Sequence, residues 1–272
     1  MARSVADYPR TNTWLLSDDK SFSGMNFCGG SLIGFSKVSP NKSTSNEDAA
    51  VVIELSDNHG LIVVADGMGG ANAGDRAAKC IIETIAKSVC LEAVVGESVR
   101  SIVVDAIERA NDTILGWGLG AGSTLVVVEY LNGSTRSIHI GDAMAMVCSN
   151  RGRIKASTVS HSPVAMGVEA GFIDEDEALL HEDRHLISNC VGSAEMKIEL
   201  GPTLTMSVCD TVIVGSDGLF DNLTVDEIVS IVRAGHLKHQ FNLLVNSARE
   251  RMSAPDTLPS TPDDLTVICF RQ

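Results

Sequence analysis

Two runs of β-forming residues in this chain end in an Asp-Gly step. Leu61 to Ala65 leads into Asp66-Gly67-Met68-Gly69-Gly70, and Val212 to Ser216 leads into Asp217-Gly218. A carboxylate at the tip of an apolar strand is costly to bury alone, so it calls for a cation, a paired charge or a dense set of backbone donors. Further acids occupy similar places: Asn46-Glu47-Asp48 before Ala49 to Leu55, Gly141-Asp142 after Ile138 to Ile140, and Asp263-Asp264 before Leu265 to Phe270. Oxygen donors without His or Cys at matching spacing suit Mg²⁺ or Mn²⁺ rather than zinc or copper. Two such ions can activate a bridging water and clamp the attacking and departing oxygens of a phosphoryl group in line. No nucleophilic side chain is then required. That agrees with the lack of a Ser, His and Asp arrangement, and no cysteine is followed by Arg six positions later.

Each motif also has a plainer reading. A single Asp-Gly step is a common turn, although the three glycines after Asp66 leave room for backbone to approach a ligand. Glu47 and Asp48 alternate faces if the strand includes them, so only one of the two is expected to reach an ion directly. Thr224 is expected to cap a helix from Val225 onward, with Asp221 structural. His59, His139, His161, His181 and His185 are isolated in sequence and read as surface or core histidines.

These acids need strands to carry them. Ala49 to Leu55 and Leu61 to Ala65, joined by Ser56-Asp57-Asn58-His59-Gly60, read as a hairpin. The period then changes, and helical spacing of apolar residues covers Gly74 to Cys90 and Glu97 to Leu115. Strands return at Ser123 to Tyr130, Thr135 to Ile140, Ala143 to Ser149 and Ile154 to Thr158, read as an antiparallel meander. Residues 160 to 200 break the pattern, with an acidic helix-like stretch at Asp174 to His181, and read as an inserted flap. Strands Thr203 to Val208 and Thr211 to Ser216 follow. Helices at Val225 to Ala234 and Phe241 to Ser253 and a last strand, Leu265 to Phe270, complete the chain. Strands in runs and helices in pairs, twice over, predict an α+β domain with helix pairs covering stacked antiparallel sheets.

The bulk numbers narrow the function. With 272 residues, 44% of them hydrophobic, the chain can bury a sizeable core, and no composition shift marks a linker between two domains. A formal net charge of −14, from 21 basic and 35 acidic residues, argues against a general grip on nucleic acid or on an anionic membrane surface. The seven cysteines are widely spaced with no Cys-x2-Cys pair, so they read as free thiols in a reducing compartment. The first thirty residues show no secretory core and no stretch reaches the length of a membrane span, so a cytoplasmic location is expected.

Taken in order, the motifs resemble those of the metal-dependent Ser/Thr protein phosphatases of type 2C. Those that carry the likeness are Asn46-Glu47-Asp48-Ala49, Val64 to Gly70, Gly122-Ser123-Thr124, His139-Ile140-Gly141-Asp142, Ser160-His161-Ser162, Val191-Gly192-Ser193, Ser216 to Asp221 and Asp263 to Val267. Met68-Gly69-Gly70 is the variant of bacterial members. The resemblance implies a four-layer α/β/β/α sandwich, with one catalytic domain over 1–272 and a flap at about 161–195. It implies hydrolysis of phosphoserine and phosphothreonine on proteins through a metal-activated bridging water, with two or three Mg²⁺ or Mn²⁺ ions. Asp66 would bridge two metals with the Gly67 carbonyl beside it. Glu47 would hold the second metal, with Asp48 supporting its water shell, and Asp217 and Asp263 would hold the first. Asp142, with Asp217, would bind a third ion.

Three places depart from the family, one of them Ala143-Met144, which follows Gly141-Asp142 where Ser-Arg is usual. Asp264 stands where Asn is usual, which leaves either Asp263 or Asp264 as the ligand. Ser43 stands where an arginine often grips the phosphate, with Lys42 beside it, and lysine lacks the bidentate fork. Lys42 and Ser43 are therefore the substrate-binding candidates, and Asp66 and Asp217 the catalytic ones. A phosphorylated protein, the product of a cognate Ser/Thr kinase, is the expected partner of a monomeric enzyme. The alternatives are a weakly active or non-catalytic phosphoprotein-binding module of the same fold, and a hydrolase of small phosphate esters.

Overall fold

The computed structural model describes residues 10–15, 20–40, 42–69, 73–92, 98–174, 177–178, 181–254 and 260–272. Two antiparallel sheets are stacked between two helix pairs. In the first sheet the order is β1 (Arg10–Leu15), β4 (Asp48–Ser56), β5 (His59–Met68), β7 (Leu125–Leu131), β8 (Ser134–Ile140) and β11 (Glu199–Leu200). The short β6 (Gly122–Ser123) pairs with β5, and β12 (Leu204–Thr205) with β8. In the second sheet the order is β10 (Ile154–Ser157), β9 (Met144–Cys148), β13 (Thr211–Gly215), β14 (Leu265–Arg271), β3 (Gly30–Lys37) and β2 (Lys20–Phe27). The helices are α1 (Ala73–Glu92), α2 (Val99–Gly116), α3 (Pro163–Glu169), α4 (Asp217–Phe220), α5 (Val225–Val232) and α6 (Leu237–Met252).

The period-2 geometry of the central strands makes the layers. On β4 and β5, Ala49, Val51, Ile53, Leu61, Val63 and Ala65 pack against α1 and α2. Their neighbours Ala50, Val52, Ile62 and Val64 face the second sheet. On β14 the same alternation sends Leu265, Val267 and Cys269 toward α5 and α6, and Ile268 and Phe270 between the sheets. Strands buried on both faces read as continuous apolar runs, which is why β4, β5 and β14 stand out in the sequence.

The hairpin, both long helices and the last strand fall where the sequence predicts them. The meander does not. β7 and β8 pair, but the chain then leaves the first sheet at Gly141-Asp142, and β9 pairs with β13 in the second. Gly141 has φ +89°, and a Cβ there would stand 2.7 Å from the Thr124 side chain, so this step is a tight crossover rather than a hairpin turn. The predicted strand Thr203 to Val208 shrinks to the two residues of β12, with Val208 exposed. β3 carries no prediction, because its Ser and Gly residues dilute the pattern, yet it pairs with β14 along seven residues. Of the acidic stretch Asp174 to His181, residues 175–176 and 179–180 lie outside the described residues. Among the described residues no helix is long and apolar enough to cross a membrane.

Candidate metal centre

The two sheets bring their acidic strand ends to one place. Asp48 opens β4 and sits directly opposite Asp66 on β5. Like charges directly opposite in an antiparallel pair are destabilising, so this register makes sense only with a compensating partner. From the second sheet, Ser216, the residue after β13, donates its hydroxyl to Asp48 Oδ2 at 2.8 Å. The same Oγ accepts the Thr266 amide at 3.1 Å, so one serine ties the sheets together beside the acids. Asp217 follows at the start of α4, and Asp263 stands two residues before β14.

The electrostatics follow from that crowding. Burial, then Asp48 and Asp142, hold the Asp66 carboxyl well above the usual carboxylate range, partly offset by a side-chain hydrogen bond with Asp217. Burial, then Asp66 and Asp263, do the same to Asp217. Asp48 is pushed up to about 7, by burial and then by Asp264. Asp142 also reaches about 7, by burial and then by Asp221. Asp263 is raised by burial, against the opposing hydrogen bond of the Asp264 amide. Two buried oxygens, Asp48 Oδ1 and Asp217 Oδ1, have no hydrogen-bond partner among the described residues. Unsatisfied carboxylate oxygens that repel one another are a hard-donor set waiting for cations, and they fit Mg²⁺ or Mn²⁺.

Glu47 stands at the edge of this set. Its backbone oxygen accepts the Gly67 amide at 3.1 Å. A Cβ on Gly67 would overlap the Gly74 carbonyl, and one on Gly74 would stand 2.6 Å from Glu47 Oε1. Glycine at both positions lets the start of α1 close over Gly67 and Glu47.

Lys42 does not stand free. Its ammonium lies 2.8 Å from Glu47 Oε2 and 2.7 Å from Asp264 Oδ2. Burial works to lower its pKa, but the hydrogen bonds to Asp264 and Glu47 outweigh it and hold the pKa above the ordinary lysine value. Asp264 is buried and accepts the amides of Ser39 (2.8 Å) and Glu47 (2.7 Å) as well. Its oxygens are therefore occupied in fixing the loop before β4, whereas Asp263 is the acid that interacts with Asp66, Asp142 and Asp217. Ser43 is exposed on the same loop.

Two features escape the motif reading. Asp221, expected to be structural, joins the cluster: burial pushes it up to about 6, against the pull of Arg184, whose Nε lies 3.9 Å away. Only the one-turn helix α4, too short to show periodicity, brings Asp221 back toward Asp217. His139 and His161, expected to be isolated, stack at 4.6 Å with an interplanar angle of 29°. Twenty-one residues lie between them in sequence, so only the tertiary fold reveals the pair. Thr224 caps α5 as predicted, in a reciprocal box with Glu227.

The family model for protein phosphatase 2C matches residues 40–254 of the chain. A protein phosphatase 2C-type relative from Streptococcus pyogenes is 29% identical over 198 residues, covering 70% of this chain and 80% of the relative. The serine/threonine phosphatase stp of Listeria monocytogenes is 25% identical over 198 residues, covering 70% and 78%. Among solved structures, the serine/threonine phosphatase Stp1 from Staphylococcus aureus superposes with a TM-score of 0.76 at 23% identity, covering 94% of this chain and 98% of that one. The catalytic domain of the phosphatase PstP in complex with two manganese ions superposes with a TM-score of 0.71 at 22% identity, covering 88% and 96%.

Proposed function

The chain belongs to the protein phosphatase 2C family, and on that premise we propose that it hydrolyses phosphoserine and phosphothreonine in proteins with Mg²⁺ or Mn²⁺. The observation that carries this reading is the convergence of Asp48, Asp66, Asp142, Asp217 and Asp263 from both sheets, with two oxygens left unsatisfied. Asp66, Asp217 and Asp263 would hold the ions, with Glu47 and the Gly67 carbonyl on one side and Asp142 on the other. When bound, the ions supply a water of lowered pKa and charge to offset that developing on the phosphoryl oxygens. Asp66 and Asp217, both half-buried, would keep the reacting region fixed, and Asp48, held by Ser216, would help orient the set. Lys42 sets Glu47 and Asp264, and Lys42 with Ser43 forms the rim that meets the substrate.

The whole chain, with its flap at about 161–195, acts as one catalytic unit in this reading. Its substrates are proteins phosphorylated by a cognate Ser/Thr kinase. All seven cysteines are unpaired, which supports a reducing, cytoplasmic setting for a monomeric enzyme. The test is release of phosphate from a phosphothreonine peptide with Mn²⁺, with excess EDTA, and with Asp66→Asn and Asp217→Asn. Metal-dependent release by the wild type, abolished in the other three arms, is expected. No metal-dependent release by the wild type would sink the reading.

A further inference from the structure

Away from the acids of the metal centre, a polar cluster lies at the root of the flap, around His161. Its backbone amide donates to the Gly141 oxygen at 2.9 Å, and the Gly141 amide donates back to His161 Nδ1 at 3.0 Å. Asn189 Nδ2 donates to the same Nδ1 at 2.8 Å. The amide and hydroxyl of Ser188 both donate to the His161 oxygen at 2.8 Å. On its other edge, His161 Nε2 lies 3.0 Å from Glu199 Oε2.

His139, His161 and Glu199 each offer an atom within 4.8 Å of the others, which suggests a second metal site. The hydrogen bonds rule against it. Two donors point at His161 Nδ1, so its lone pair is there and the proton is on Nε2, donated to Glu199. His139 Nε2 donates to the Val159 oxygen at 2.9 Å, leaving only its buried Nδ1 with a lone pair to offer. One available nitrogen does not make a metal site.

The cluster instead joins two separate parts of the fold. One ring nitrogen is shared by Gly141, which carries Asp142, and by Asn189 of the flap. Asn189 is itself locked to Lys197 by bonds of 2.7 and 3.0 Å. Gly141 has no slack, since it packs on Thr124, whose amide donates to the Asp66 oxygen at 2.8 Å. We propose that His161 is a positioning residue that couples the flap to the Asp142 turn, so that engagement of the flap by a phosphoprotein alters how Asp142 holds its ion. This rests on the phosphatase reading for its substrate but not for its coupling.

The test uses the full chain and Mn²⁺, with binding isotherms measured by calorimetry and kcat and KM measured on a phosphothreonine peptide. His161→Leu removes the acceptor for the Gly141 amide; His161→Asn retains an oxygen acceptor near the place of Nδ1. Partners behind a metal ligand typically contribute 10–100-fold in affinity, so His161→Leu should weaken the weakest Mn²⁺ binding event by about 10-fold. It should lower kcat with KM within about twofold of wild type, the mark of an effect on the reacting region rather than on substrate binding. His161→Asn should recover both to within about threefold, on the same scale. Asp142→Asn should abolish that binding event, and adding His161→Leu to it should change nothing more. An unchanged isotherm for His161→Leu, equal damage in His161→Asn, or additive effects with Asp142→Asn would each overturn the proposal. If His161→Leu does not fold, Asn189→Ala, which removes the flap's bond to His161 together with its two bonds to Lys197 and leaves the Gly141 bond in place, must still weaken Mn²⁺ binding, and no change there overturns it too. Isotherms that separate as expected while no variant, nor the wild type, releases phosphate would defeat the phosphatase reading and leave the coupling standing.

Discussion

Asp66 faces Asp48 across the β4–β5 ladder; burial and the field of Asp48 hold Asp66 in a state that resists ionisation, and burial with the field of Asp264 does the same to Asp48. Removing one charge should therefore relieve the metal-free fold while ruining the site. Asp66→Asn is expected to lower kcat by more than about 100-fold, beyond the effect of losing an outer partner. In EDTA, the same variant should melt several degrees above wild type, at about 2–4 °C per kcal/mol for a chain of this size. Calorimetric scans with chelator check the second part, and a lower melting point would refute it. The sign of the pH dependence follows. Asp48 and Asp142 have folded values near 7 against an ordinary 3.8, so the folded state binds more protons in that window. Their contribution is fully present below about pH 4 and is lost as pH rises through about 7. Denaturant titrations in EDTA should show stability falling across that window from these groups, and saturating Mn²⁺ should remove or reverse the slope. Lys42 makes a different case. Losing its ammonium leaves the buried Asp264 without its cation, so Lys42→Ala should cost about 1–2 kcal/mol in urea, after discounting for the exposed part of the pair. If Lys42 also meets substrate, KM rises more than kcat falls; an unchanged KM limits it to holding Asp264 and Glu47.

At the scale of elements, two glycines decide how α1 meets the site. Gly74→Ala raises intrinsic helix propensity by about 1 kcal/mol, yet its Cβ would press on Glu47 Oε1 at 2.6 Å. The expected outcome is unchanged helix content by circular dichroism with weaker Mn²⁺ binding; unimpaired binding would show that α1 can yield. Thr224→Ala is the control, since it breaks the capping box of α5, whose hydrogen bonds run to Glu227 and to no acid of the cluster. It should cost about 1 kcal/mol of stability and leave kcat and KM alone. These elements also show what the sequence discloses. β4, β5, α1, α2 and β14 announce themselves because burial on two faces, or one helical face, writes an uninterrupted pattern. β3 hides because Gly30, Ser31, Gly34 and Ser36 interrupt its apolar residues. The step from β8 to β9 hides for another reason: a turn within a sheet and a crossing between sheets can use the same Gly-Asp pair, and only pairing partners tell them apart. The acids at strand ends were legible as a set. The separate parts played by Asp263 and Asp264 were not, because adjacent residues of one type differ only in which neighbours the fold hands them.

For the whole molecule, the decisive arrangement is that each sheet contributes acids to one place, joined through the Asp48 to Ser216 hydrogen bond. Ions held by these acids, as proposed, would connect the sheets as well as serve the chemistry. Mn²⁺ at about 100 times its dissociation constant should add about 2.7 kcal/mol to unfolding. Amide hydrogen exchange should slow most at the ends of β4, β5 and β13 nearest the acids. Slowing confined to one sheet would contradict a connection across both. The opposed carboxylates carry one more consequence, for descent rather than for catalysis. If asparagine at Asp66 makes the bare fold sturdier as expected, the metal site persists in a lineage only while something selects for it. Once that pressure lifts, drift runs toward a silent and more durable descendant, and a single base change, from an Asp codon to an Asn codon, is enough to start it.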